Sequence, residues 1–145
     1  MTGIRFGSLA LSALLTVGVG AFAWTHAASA QASTRMTVTL NEFEIIPEIR
    51  EAPAGDITFD VVNTGEDNHE LVIIKSDLDE KALPPSAVKG EIDENAAGEV
   101  IGSFDEVPPA GLANGTLVLG PGRYILLCNL TKHYENGMVT TLVVK

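Results

Sequence analysis

Residues 123–144, RYILLCNLTKHYENGMVTTLVV, place two apolar runs on either side of a short polar loop. The flanking runs, residues 123–128 and 138–144, are short and rich in apolar and β-branched residues, which is typical of strands. Gly120-Pro-Gly122 supplies tight-turn chemistry just before the first run. We therefore expect two strands here, with the loop from Cys128 to Met138 held at both of its ends.

Working outward, the same strand pattern recurs along most of the chain. Residues 35–43 and 57–62 alternate apolar and polar side chains, as half-buried strands do. Further strands are expected at residues 69–75 and 116–119, and a short one near Ile45 and Ile46. Many short strands separated by Gly/Pro turns favour an all-β fold. We predict one domain over residues 31–145, a Greek-key β-sandwich of seven or eight strands.

The segment from Ser76 to Gly115 differs in composition from the predicted strands. Acidic residues are scattered through it, among the pairs Pro84-Pro85 and Pro108-Pro109. No helical period persists for more than about two turns. We interpret it as a long connecting region that contains one short helix.

Residues 1–30 have the form of a secretory signal peptide. Arg5 provides a positive start, residues 6–24 carry no charge, and Ala28-Ser29-Ala30 offers a small-residue cleavage site. This predicts export to the periplasm or another extracytoplasmic compartment. A leader retained as a membrane anchor is the alternative, and no membrane span is expected in the mature form otherwise.

The net charge and the cysteine count bear on the possible partners and on how the fold is stabilised. The chain carries 19 acidic residues, all after Ala30, and a net charge of −10. Loss of Arg5 with the leader would leave eight basic residues and a net charge of −11. Such a surface disfavours nucleic acid as a partner and favours a protein with a basic docking face, although it could merely confer solubility. A single cysteine cannot form an internal disulfide.

Four side chains have the chemistry of a metal site. Cys128, His133 and Met138 follow one another at five-residue steps, and His69 is the only other histidine after residue 30. Two imidazoles, a thiolate and a distant thioether form the trigonal site with a weak axial ligand that copper uses in electron transfer. Individually, Cys128 and Met138 could be core residues and His69 a surface histidine. Their joint occurrence in an exported all-β chain favours copper.

The chain resembles the cupredoxin family of type 1 blue copper proteins. The matching motifs are Asn68-His69-Glu70, Tyr124-Ile-Leu-Leu-Cys128-Asn-Leu and His133-Tyr-Glu-Asn-Gly-Met138. The Cys-x4-His-x4-Met spacing is closest to rusticyanin- and auracyanin-like members. This resemblance implies one type 1 copper ion, with Cys128 as the thiolate, His69 and His133 as the imidazoles, and Met138 as the axial ligand.

The chain departs from the family pattern between the cysteine and the second histidine. Many members have a proline there, whereas this chain has Thr131-Lys132, so an additional backbone N–H could reach the sulfur. Asn68 could fasten the strand to the cysteine segment, as in relatives, or could simply close its own loop. Leu130 and Tyr134 could form an apolar docking patch or pack inward.

The resemblance implies a one-electron carrier between redox partners such as a c-type cytochrome, an oxidase or a reductase. An enzyme is not expected. Leu127 and Asn129 flank the cysteine where multicopper oxidases place histidines, and a dinuclear centre would need a second cysteine. The alternative function is copper handling, as a chaperone or resistance factor, without redox cycling.

Overall fold

The computed structural model describes residues 33–145, so the predicted signal peptide lies outside the described residues. These residues form nine strands and one short helix. They are β1 (Thr34–Asn41), β2 (Glu44–Pro47), β3 (Glu51–Ala52), β4 (Gly55–Asn63), β5 (His69–Lys75), α1 (Glu94–Ala97), β6 (Glu99–Val107), β7 (Leu112–Leu119), β8 (Gly122–Leu127) and β9 (Val139–Val144). The predicted all-β class is confirmed. In this described part, no helix is long and apolar enough to cross a bilayer.

The strands form two mixed sheets. The first has the order β2-β1-β4-β7, and the second has the order β3-β9-β8-β5-β6. Two pairs, β1 with β4 and β3 with β9, are parallel. The remaining neighbours are antiparallel. The observed count of nine exceeds the expected seven or eight because the two-residue β3 and the acidic β6 also pair.

The main core lies between the sheets and a second core lies outside the five-stranded sheet. In β5, Leu71 and Ile73 face the main core, while Val72 and Ile74 face the second one. Burial on both faces explains why this strand is continuously apolar instead of alternating. The second core is closed by side chains from the chain between β5 and β6, namely Leu83, Ile92 and Ala97.

The expectation of one long connection between Ser76 and Gly115 is wrong in its second half. The short helix is present as α1, but Glu99–Val107 forms β6, which pairs with β5 alone. This edge strand is mostly exposed and acidic, and edge strands tolerate charge on faces that contact water. Because acidic residues interrupt its apolar ones, the sequence pattern did not identify this strand.

Strand directions bring distant residues to one end of the sandwich. Val72, in the middle of β5, pairs with Leu127 at the end of β8, so that His69 at the start of β5 lies beyond the end of β8. Leu127 also pairs with Val139 at the start of β9. In the other sheet, Leu40 at the end of β1 lies beside Asn63 at the end of β4. His69, Cys128 and the β1–β2 turn therefore lie at the same end of the two sheets.

Candidate metal centre

Three of the four predicted ligands converge at this end of the molecule. The ligand atoms of His69, Cys128 and His133 all lie within 4.8 Å of one another. Nδ1 of His133 is 3.2 Å from Nδ1 of His69 and 3.3 Å from Sγ of Cys128. The structure thus brings together residues that are separated by up to 64 positions in sequence.

The spacing and chemistry of these atoms suit a metal ion. Donor atoms that share one metal through bonds of about 2.0–2.3 Å stand roughly 3–4 Å apart. Two imidazoles and one thiolate, with Met138 at the end of the same loop, match the preferences of type 1 copper. The donor set therefore fits a single type 1 copper ion.

Met138 lies at the end of the ligand loop, beside the cysteine. Its carbonyl accepts a hydrogen bond from the backbone N–H of Cys128 at 3.1 Å, and its own N–H donates to the carbonyl of His133 at 3.1 Å. The side chain is fully buried in the same core cluster as Cys128. Met138 immediately precedes β9 rather than starting it, so the sheet fixes the chain just past the predicted axial residue.

The Cys128 sulfur lies in an apolar setting with two nearby backbone donors. Burial raises the pKa of the thiol, while the backbone N–H groups of Glu70 and Leu130 act in the opposite direction. The Glu70 N–H donates to Sγ at 3.4 Å. The amide of Lys132 instead donates to the Gly90 carbonyl at 3.0 Å. The Lys132 N–H, one of the two that the missing proline made available, is therefore not directed at the sulfur.

His69 is the sheltered ligand. It is 0% exposed, and a β-bulge separates its pairing from that of Leu71. Bulges of this kind often re-aim a side chain next to a functional site. Its Nε2 atom makes no hydrogen bond among residues 33–145, although Oε1 of Glu42 lies 3.4 Å away.

His133 is the ligand with access to the surface. It is half-buried, and burial, followed by the neighbouring His69, lowers the pKa of its imidazole. The ring of Phe43 meets it edge-on, with centroids 5.5 Å apart and an interplanar angle of 88°. A lowered pKa keeps the imidazole neutral near pH 7, which is the form that binds a metal.

Glu70, rather than Asn68, fastens the strand to the cysteine segment. Its carboxylate accepts a hydrogen bond from the Asn129 N–H at 2.8 Å, beside its own N–H contact to Sγ. Asn68 is exposed. The loop before His69 is closed by the buried Asn63 side chain, which donates to the carbonyls of Asp67 and Val107 and accepts from Gly65 N–H. Sequence spacing gives no signal for these roles, since they depend on pairing between distant strands.

The chain between β5 and β6 braces the ligand loop. The Tyr134 hydroxyl donates to the Glu80 carbonyl at 3.0 Å and accepts from the Leu83 N–H at 2.9 Å. The Asn129 side chain bonds both backbone groups of Ile92. Tyr134 and Leu130 therefore pack inward, against the second and the main core respectively. The alternative of an apolar docking patch at these two residues is not what the structure shows.

Solved structures of two groups of copper proteins share this fold. An auracyanin from Roseiflexus castenholzii is 24% identical, with 79% of this chain and 98% of that chain covered and a TM-score of 0.58. Auracyanin A from Chloroflexus aurantiacus, described as a "blue" copper protein, is 18% identical over 78% and 99% of the two chains, with a TM-score of 0.56. Rusticyanin from Thiobacillus ferrooxidans is 19% identical over 78% and 77%, with a TM-score of 0.55. Identities this low establish the fold alone.

A family match extends over most of the sequence. The cupredoxin-like domain family matches residues 13–119, which include His69 but end before Cys128. No curated protein sequence matches the chain. The family match, the shared fold and the ligand spacing agree, and the chain belongs to the cupredoxin family, close in its ligand-loop spacing to rusticyanin and auracyanin.

Proposed function

We propose that this protein is an exported one-electron carrier that holds a single type 1 copper ion. His69, Cys128 and His133 would form the trigonal ligand set, with Met138 as the axial ligand. The observation that carries the proposal is the convergence of the two Nδ1 atoms and Sγ within 4.8 Å. Copper, when bound to such a set, cycles between Cu(I) and Cu(II) and so transfers one electron.

The surrounding residues are suited to holding the ligands still. His69 is fixed by a strand buried on both faces, and Cys128 directly follows β8. The Glu70 carboxylate and the Asn129 N–H join these two supports at 2.8 Å. A rigid ligand frame reduces the rearrangement that must accompany electron transfer. The half-buried His133 provides the shortest route from the site to the surface.

The partner and compartment follow from charge and the N-terminal sequence. A net charge of −10 supports a redox partner with a basic docking face, such as a c-type cytochrome, an oxidase or a reductase. The signal-peptide pattern of residues 1–30 supports a periplasmic or other extracytoplasmic location. Auracyanin A, which shares the fold, is described as a "blue" copper protein, and this supports a type 1 copper site here.

Copper handling without redox cycling is the second candidate. It draws on the same ligand set, and Cys128 is a free cysteine of the kind used to bind Cu(I). Against it, the chain has only three methionines, so the methionine-rich tracts suited to Cu(I) traffic are absent from the sequence. A carrier should retain copper in both oxidation states, whereas a chaperone should release it to an acceptor.

The proposal is tested by loading the purified apoprotein with one equivalent of Cu(II). We expect an intense thiolate-to-copper absorption band, narrow copper hyperfine splitting in EPR, and reversible voltammetry without loss of copper. A pale, ordinary Cu(II) spectrum would rule out Cys128 as a ligand and remove the carrier function. A blue spectrum with rapid copper loss to a chelator on reduction would favour copper handling.

A further inference from the structure

The turn between β1 and β2 contacts both proposed imidazole ligands although it supplies no ligand itself. Oε1 of Glu42 lies 3.4 Å from Nε2 of His69, and the Phe43 ring packs edge-on against His133. Phe43 adopts a left-handed backbone conformation, with φ of 54°, in this tight turn. The turn is therefore part of the wall of the metal site.

The Glu42 carboxylate is held in place by the backbone of the loop that precedes His69. Oε1 accepts hydrogen bonds from the backbone N–H of Glu66 at 2.6 Å and of Asp67 at 3.0 Å. Gly65 packs so closely that a Cβ there would overlap the carboxylate. The loop backbone thus positions the Glu42 carboxylate to face the His69 ring.

The Nε2 atom of His69 is the one buried side-chain nitrogen or oxygen without a hydrogen bond in residues 33–145. An unpaired N–H in such a place costs free energy, and the carboxylate oxygen 3.4 Å away is the charged acceptor it faces. Metal-binding histidines commonly donate their second N–H to a carboxylate, which fixes the tautomer and the ring orientation. The Glu42–His69 pair has the components of that arrangement.

We propose that Glu42 is a positioning residue for the copper site. Its carboxylate holds the proton of His69 on Nε2 and orients the ring, so that the Nδ1 lone pair faces Cys128 and His133. In the apoprotein, Nδ1 of His133 then carries a proton and donates it to the unprotonated Nδ1 of His69, 3.2 Å away. The inference rests on the proposed function, since it assigns Glu42 a role toward the same metal ion.

The first test uses the apoprotein and needs no metal. Long-range ¹H–¹⁵N NMR distinguishes the protonated from the unprotonated ring nitrogen of His69 in wild type, Glu42→Ala and Gly65→Ala. Gly65→Ala keeps the charge but displaces the carboxylate. We expect Nε2 to be protonated in wild type and both variants to lose this preference. Glu44→Ala removes an exposed charge from the neighbouring start of β2 and should leave the His69 signals unchanged.

The second test measures copper affinity by competition with a chelator. Loss of an outer partner of a metal-binding histidine typically weakens binding by about 10–100-fold, so we expect about tenfold for Glu42→Ala and Gly65→Ala and no change for Glu44→Ala. Unchanged His69 nitrogen signals in both folded variants would overturn the inference. If the two variants show the tautomer change but the wild-type protein does not turn blue with copper, the proposed function would be overturned and the role of Glu42 toward His69 would stand.

Discussion

The metal site has a strand half and a loop half. Their histidines differ in exposure to solvent and in the backbone that holds them. The strand half is the start of β5, with Glu70 beside His69, which is 0% exposed and lies inside the family match over residues 13–119. The loop half, from Cys128 to Met138, lies beyond that match and contains His133, the one half-buried ligand. On the proposed function, the strand half would fix the ligand geometry, while the loop half would provide access to the copper and set its potential.

The largest expected effect comes from removing the atom at which the two halves meet. Cys128 Sγ lies 3.4 Å from the Glu70 N–H of the strand half and 3.3 Å from His133 Nδ1 of the loop half. Because the visible colour of a type 1 site comes from the covalent copper–sulfur bond, Cys128→Ser should abolish the intense band. Absorption and EPR spectra of the copper-loaded variant check this. Persistence of the band would show that the sulfur is not a ligand.

Cavity variants compare the two halves directly. His69→Gly and His133→Gly should both lose the blue spectrum, and added imidazole should restore it more easily in His133→Gly, whose cavity reaches the surface. Imidazole can reach the cavity of His69→Gly only if the protein around it opens locally. An opening free energy of about 1.4 kcal/mol would raise the imidazole concentration that restores the colour by about tenfold. Titration of each copper-loaded variant with imidazole gives the two midpoints. Equal midpoints would show that His69 is no more sheltered than His133.

A substitution in the loop half should change the potential without removing the colour. Met138→Gln exchanges a weak thioether for a stronger oxygen donor, which favours Cu(II) and lowers the reduction potential. A tenfold change in the one-electron equilibrium corresponds to about 59 mV, which is the order of shift we expect in voltammetry. Met36→Gln is not a suitable control, because Met36 is also buried in the main core. Met138→Leu serves instead and should shift the potential in the opposite direction.

Sequence patterns were informative where a structural role is local. The strands that carry His69 and Cys128 have clear apolar runs, and the five-residue steps from Cys128 to Met138 place three ligand types in one loop. Turn chemistry at Gly120–Gly122 likewise marked the boundary between β7 and β8. These features arise from periodicity and spacing within about ten residues, which a single sequence displays directly.

Features that depend on pairing between distant segments could not be predicted. Glu42 reaches His69 only because β1 and β4 run in parallel, and Glu70 reaches Asn129 only because β5 lies beside β8. The acidic edge strand β6 lacks the apolar run by which strands are recognised. In each case, the decisive information is which strands are neighbours, and no local pattern encodes it.

The smallest expected effect concerns the carboxylate that joins the two halves. Burial and nearby acidic residues raise the pKa of Glu70 above its ordinary value, although the hydrogen bond from the Asn129 N–H acts in the opposite direction. The folded state therefore holds the proton of Glu70 more tightly than the unfolded state. This contribution is fully present below the unfolded pKa of about 4.3 and is lost as the pH rises through the folded pKa.

Glu70→Gln removes the charge while keeping an oxygen that can accept from the Asn129 N–H. We expect the apoprotein variant to gain stability relative to wild type between about pH 4 and pH 7, by an amount on the order of 0.5 kcal/mol because the site is partly screened by solvent. Thermal unfolding at both pH values measures the difference. Glu99→Gln, at the exposed start of β6, provides the matched control and should show a smaller change. A variant that loses stability at pH 7 would mean that the ionised carboxylate strengthens the bond to Asn129 by more than its burial costs.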